Sequence, residues 1–159
     1  MAQKNHNLAV YLFVLANLTF LSNAIQAQKP PIEVNTFQRW PTLGIAAWIS
    51  NNGAYVFYTI NNYPVGSSTL MIYNTKANTY NNIINGQAVK FTADSRKVIF
   101  MISDSLFIRD LSSQVVQSFT QVSRYSLHHG KKNDWLLISM NNAAKELVIV
   151  NLKSQTFSS

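Results

Sequence analysis

Short apolar runs, each closed by a turn former, recur about every 40 residues along this chain, and that period constrains the fold more than any single residue does. Ala93 to Phe119 states the unit most fully. A polar turn leads into Val98-Ile99-Phe100-Met101-Ile102, Ser103-Asp104 turns the chain, and Leu106-Phe107-Ile108 follows. Asp110 opens the next turn before Val115-Val116. Runs this short, rich in β-branched and aromatic residues and bounded by Ser, Asp and Asn, are strands joined by hairpins.

The same plan is found before and after that stretch. Ile45 to Ser50, Ala54 to Ile60, Thr69 to Asn74 and Tyr80 to Ile84 make an earlier unit, with Asn51-Asn52-Gly53 as a hairpin turn. A later unit starts near Tyr125, turns through Gly130 to Asn133, continues in Asp134 to Met140 and Glu146 to Asn151, and reaches a last strand near Gln155 to Phe157. Laid over one another, the second strands are anchored by Val56, Val98 and Leu136, at separations of 42 and 38 residues. Third strands are anchored by Leu70, Leu106 and Leu147, at separations of 36 and 41. Each is followed by Ile72, Ile108 or Ile149 and then by Asn74, Asp110 or Asn151. A β-sandwich also spaces its strands at about 8 to 12 residues. The matched register across three units instead points to an all-β fold of about three four-stranded antiparallel blades, a partial β-propeller, with blades near 45–85, 86–120 and 121–159. No later segment holds a 3.6-residue period, so no helix longer than a turn or two is expected there.

Met1 to about Gln28 reads as a signal peptide. Lys4 is its basic start, Leu8 to Leu21 its apolar run, and Ser22, Ala24 and Ala27 offer small-residue cleavage positions. The apolar run falls short of the roughly 20 residues of a spanning helix. Export to the periplasm or the exterior is therefore expected, with no stable membrane span after cleavage. Residues 29–44, with Pro30 and Pro31, are expected to form an extended lead-in.

The remaining composition narrows the function. The chain is 47% hydrophobic but only 12% charged, so it folds rather than staying disordered. It has no cysteine, which excludes disulfides, thiolate metal sites and a cysteine nucleophile. The formal charge is +7, yet the only adjacent basic pairs are Arg96-Lys97 and Lys131-Lys132. Scattered cations without an aromatic stripe read as a solvated surface, and no nucleic-acid partner is expected.

The segments WISNNGAYVFYTINNYPVGSSTLMIYN, VKFTADSRKVIFMISDSLFIRDL and NDWLLISMNNAAKELVIVNL resemble the first blades of the N-terminal β-propeller in secreted bacterial prolyl oligopeptidase-type (dipeptidyl peptidase-like) serine peptidases. The resemblance runs from about Trp40 to Phe157 and rests most on Ser50 to Val56, on Phe91 to Arg96 and on Asp104 to Ile108. It implies a propeller that limits which peptides reach a Ser-Asp-His triad on an α/β-hydrolase domain. The Gly-x-Ser-x-Gly elbow of such a domain is absent from this sequence, so the resemblance implies a non-catalytic portion. The alternative is an exported binding or scaffold protein of the envelope, self-associating through open blade edges.

No catalytic, cofactor or metal residue is assigned. His128 and His129, adjacent on a strand, point to opposite faces and read as a surface turn pair. Asp94, Asp104, Asp110 and Asp134 lie at hairpin or strand-end positions, where carboxylates cap backbone N–H groups; a glycosidase would need two acids facing one cleft. Trp48 and Trp135 are expected in the core and Trp40 on the surface.

Overall fold

The computed structural model describes residues 33–154 and the short strand Phe157–Ser158. The leader expected over residues 1–28, and Lys29 to Ile32, lie outside the described residues. Part of the expected extended lead-in is instead a single helical turn, α1 (Val34–Gln38), none of whose residues is buried. It stops ahead of Trp40-Pro41, where proline disfavours helical backbone in the residue before it. The first strand, β1 (Thr42–Ile49), also begins inside that lead-in, because Thr42 and Leu43 pair with Asn61 and Ile60.

The remaining strands follow in three groups. The first group is completed by β2 (Tyr55–Asn61), β3 (Ser68–Asn74) and β4 (Thr79–Ile84). The second comprises β5 (Gln87–Phe91), β6 (Lys97–Ile102), β7 (Ser105–Asp110) and β8 (Val116–Phe119). The third comprises β9 (Val122–His129), β10 (Asp134–Met140), β11 (Leu147–Asn151) and β12 (Phe157–Ser158). Each group is a four-stranded antiparallel sheet in which every strand pairs with its sequence neighbour.

Alternation along the strands sets how the sheets stack. In β6, Val98 and Phe100 pack with Phe57, Leu70 and Ile72 of the first sheet. Their neighbours Ile99 and Met101 pack with Leu127, Leu136, Ile138 and Val150 of the third. The middle sheet is thus apolar on both faces, which is why β6 is a continuous apolar run rather than an alternating one. Phe100 and Phe107, a register pair, stack with ring centroids 5.3 Å apart on the first-sheet side.

The repeat positions occupy equivalent places. Val98 and Leu136 face the preceding sheet and are fully buried; Leu70 and Leu106 face the following sheet and are fully buried. Turn chemistry repeats as well. The side-chain oxygen of Asn74 accepts from the Lys76 and Ala77 amides, that of Asp110 from Ser112 and Ser113, and that of Asn151 from Lys153 and Ser154. Just beyond each, the amides of Thr75, Leu111 and Leu152 donate to the carbonyls of Ala54, Arg96 and Asp134 at 2.9, 2.8 and 3.1 Å. One closing bond is therefore built three times.

Successive sheets are also laced through their turns. Asn51 Nδ2 donates to the Ala93 carbonyl at 2.9 Å and the Asn52 amide to Ser95 Oγ at 3.2 Å. The Ala93 amide in turn donates to Asp134 Oδ2 at 2.6 Å. These donors and acceptors lie 41 to 43 residues apart, one structural repeat.

Candidate functional site

The sheets begin with β1, β5 and β9, and these edge strands come together on one side of the stack. Both β1 and β5 carry an irregularity in their pairing, between Leu43 and Ala47 and between Gln87 and Lys90. The bulge at Ala88 (φ 50°) turns its carbonyl out of the ladder, and the Tyr125 hydroxyl of β9 donates to it. Burial holds the Tyr125 phenol well above the usual tyrosine range.

Two adjoining clefts of about 510 and 470 Å³ open along these strands and share Trp48, Phe57 and Val89. Phe57 is the floor, 4% exposed and in tilted contact with Phe91 at 5.3 Å between centroids. Trp48, its register partner, stands on edge strand β1 and is 65% exposed. Gly86 closes one end at a tight approach, because a Cβ there would meet the Leu70 and Ile83 side chains at 2.9 to 3.1 Å. Lys90, Thr92 and His129 line the other end. The Thr92 hydroxyl is already engaged, donating to Asp94 Oδ1 at 2.6 Å and accepting from the Lys97 amide at 3.0 Å. The groove therefore offers an indole, an apolar floor and polar ends, a surface suited to an extended apolar segment.

A third cleft, of about 280 Å³, lies at the turn side of the second and third sheets. Arg96 reaches it from the β5–β6 turn and Lys97 from the first position of β6, Lys131 and Lys132 from the β9–β10 turn, and Lys153 from the turn after β11. The two basic pairs that look scattered in the sequence meet because they occupy corresponding turns of consecutive sheets. Asp94 and Asp134 share this cleft but are turned onto local partners. Asp94 Oδ1 takes the Thr92 hydroxyl and the Arg96 amide, while Asp134 takes the Ala93 amide and faces His129 Nδ1 at 3.0 Å.

The structure departs from the sequence expectations at the histidines and at two tryptophans. His128 and His129 are adjacent and exposed on β9, as the strand reading has it, but they are strand residues and not a turn pair, and His129 is the cross-strand partner of Asp134, which explains their contact. Trp48 and Trp135 are not core residues. Trp48 is on an edge strand, and Trp135, 44% exposed, is on the face of the third sheet opposite Leu136. Trp40 is exposed at 51%, in edge contact with Phe37. The remaining acids serve local structure: Glu33 accepts from Asn35, Asp104 from the Ser105 hydroxyl, and Glu146 from Asn142. Among the described residues no three His, Asp or Glu side chains are grouped to hold a metal ion.

Comparison with known proteins identifies the fold. No protein-family model matches the sequence, and no curated protein matches it. Among solved structures the chain is similar to the β-propeller domain of the Trilobed protease from Pyrococcus furiosus, with a TM-score of 0.51 and 14% identity over 73% of this chain and 42% of that one. It is also similar to the acylaminoacyl peptidase of Pyrococcus horikoshii, with a TM-score of 0.52 and 10% identity over 78% of this chain and 25% of that one. The chain thus spans less than half of either, and the likeness establishes three propeller blades.

Proposed function

We propose that this chain is the non-catalytic propeller portion of an exported serine peptidase of the prolyl oligopeptidase type, limiting which peptides reach an active site on a separate hydrolase domain. The observation that carries the reading is the three-blade stack, shared in outline with a propeller domain of a protease and with an acylaminoacyl peptidase. The groove under Trp48 supports it, since the exposed indole above the buried Phe57 suits apolar peptide segments. The leader pattern supports export to the periplasm or the exterior.

The test is fluorophosphonate labelling combined with hydrolysis of fluorogenic peptides. The purified 159-residue chain is expected to take no label and to cleave nothing. Added to a hydrolase domain of this type, it is expected to slow cleavage of long peptides more than of short ones. Labelling of the chain itself would overturn the reading, as would identical effects on long and short peptides.

A second reading, an envelope scaffold that self-associates, is favoured by the two end faces of the stack. Leu147 and Ile149 repeat Leu70 and Ile72 in register, yet they are 48% and 39% exposed where Leu70 and Ile72 are buried. Ile49 and Tyr80 expose the opposite face of the first sheet. Light scattering after size exclusion separates the readings. A discrete oligomer dissociated by Leu147→Asp supports the scaffold, and a monomer at all concentrations opposes it.

A further inference from the structure

We propose that the basic cleft between the turns of the second and third sheets binds a phosphate-bearing anion. This inference is independent of the peptidase reading, because it rests on residues remote in sequence that the blade stack gathers on a single rim. Five of the chain's thirteen basic side chains, Arg96, Lys97, Lys131, Lys132 and Lys153, surround about 280 Å³.

Three features make this a site rather than a statistical cluster of charge. First, the cations are not neutralised in place. Of the two carboxylates in the cleft, Asp94 is bonded to the Thr92 hydroxyl and Arg96 amide and Asp134 to the Ala93 amide and His129, and neither pairs with any of the five cations among the described residues. An excess of three positive charges faces one small volume. Second, the rim is built. The Ala93–Asp134 hydrogen bond ties the two contributing turns together, Asn51 and Asn52 brace the Ala93–Ser95 turn from the first sheet, and the Leu152 amide bonds the Asp134 carbonyl beside Lys153. The cationic stems therefore start from fixed backbone, which lowers the ordering cost of gathering them on a ligand. Third, the mixture of donors suits a tetrahedral polyanion. Arg96 supplies a planar fork for two oxygens, and the lysines supply compact ammonium groups that pair with the remaining charge. A single carboxylate would leave most of these donors unused, whereas a phosphate monoester or diphosphate engages several at once.

The phosphate group is the shared chemistry, whether it comes from a soluble phosphate or from a lipid headgroup, and the experiment separates these sources. Calorimetric titration of the 159-residue chain with inorganic pyrophosphate is expected to show saturable binding at one site. Lys131→Ser with Lys132→Ser, and separately Arg96→Ser, should each weaken it about tenfold or more. The control pair Lys76→Ser with Lys145→Ser removes the same charge elsewhere and should leave the affinity unchanged. Circular dichroism checks that each variant is folded, and a rise in melting temperature on adding pyrophosphate gives a second readout in the parent chain. Sedimentation with phosphatidic acid vesicles that pyrophosphate displaces assigns the site to a lipid headgroup; pyrophosphate binding without sedimentation assigns it to a soluble ligand. Absence of saturable binding overturns the proposal, and so does an equal loss in the control pair, since diffuse net charge then accounts for the effect.

Discussion

Asn74, Asp110 and Asn151 do the same work at the end of the third strand in each sheet, but only one of them can titrate. Two backbone amides and the hydroxyl of Ser112 donate to Asp110 Oδ1. The Ser113 amide contributes most to lowering its carboxyl from the ordinary 3.8 to about 2. A folded-state pKa below the unfolded value means that this turn contributes its full stability above about pH 3.8 and loses it as the pH falls through about 2. Asp110→Asn, the residue the other two repeats use, should keep the turn at pH 7 and flatten that acid dependence, as read from thermal melts between pH 2 and 5. Tyr125→Phe removes a half-buried hydroxyl donor from the Ala88 carbonyl and should cost about 1 kcal/mol in urea unfolding. Gly86→Ala should cost about 1–3 kcal/mol, because its methyl has no room against Leu70 and Ile83.

At the scale of elements, strand existence and turn chemistry were readable from the chain, because both are local. Asp134 to Met140 matches β10 residue for residue, and the turns at Asn51-Gly53, Ala93-Ser95 and Ser103-Asp104 lie where their Asn, Asp, Ser and Gly residues place them. The shared register of Leu70 and Leu106 was legible too, and the structure turns both toward the following sheet. What the sequence hid were relations between strands. Trp48 looks like a core residue in a run of apolar neighbours, and only the sheet order reveals that β1 is an edge. The His129–Asp134 pair needs the register of β9 on β10, and the basic cleft needs two turns 35 residues apart to meet. The middle sheet, packed on two faces, should be the most sensitive element. Phe100→Ala empties a site shared by Phe57 and Phe107 and should cost about 3–5 kcal/mol. Trp48→Ala, on an exposed edge, should fall within about 1 kcal/mol of the parent and act on groove binding instead.

Across the whole molecule, three sheets stack face to face in sequence order, so that the second is covered on both sides and the others on one. Native-state hydrogen exchange read by mass spectrometry tests this stack directly. Among the described residues, peptides spanning Lys97–Ile102 and Ser105–Asp110 should exchange most slowly, those of β3 and β10 next, and edge strands β1 and β4 first. A chain in which the second sheet is no better protected than the first and third would contradict the stack.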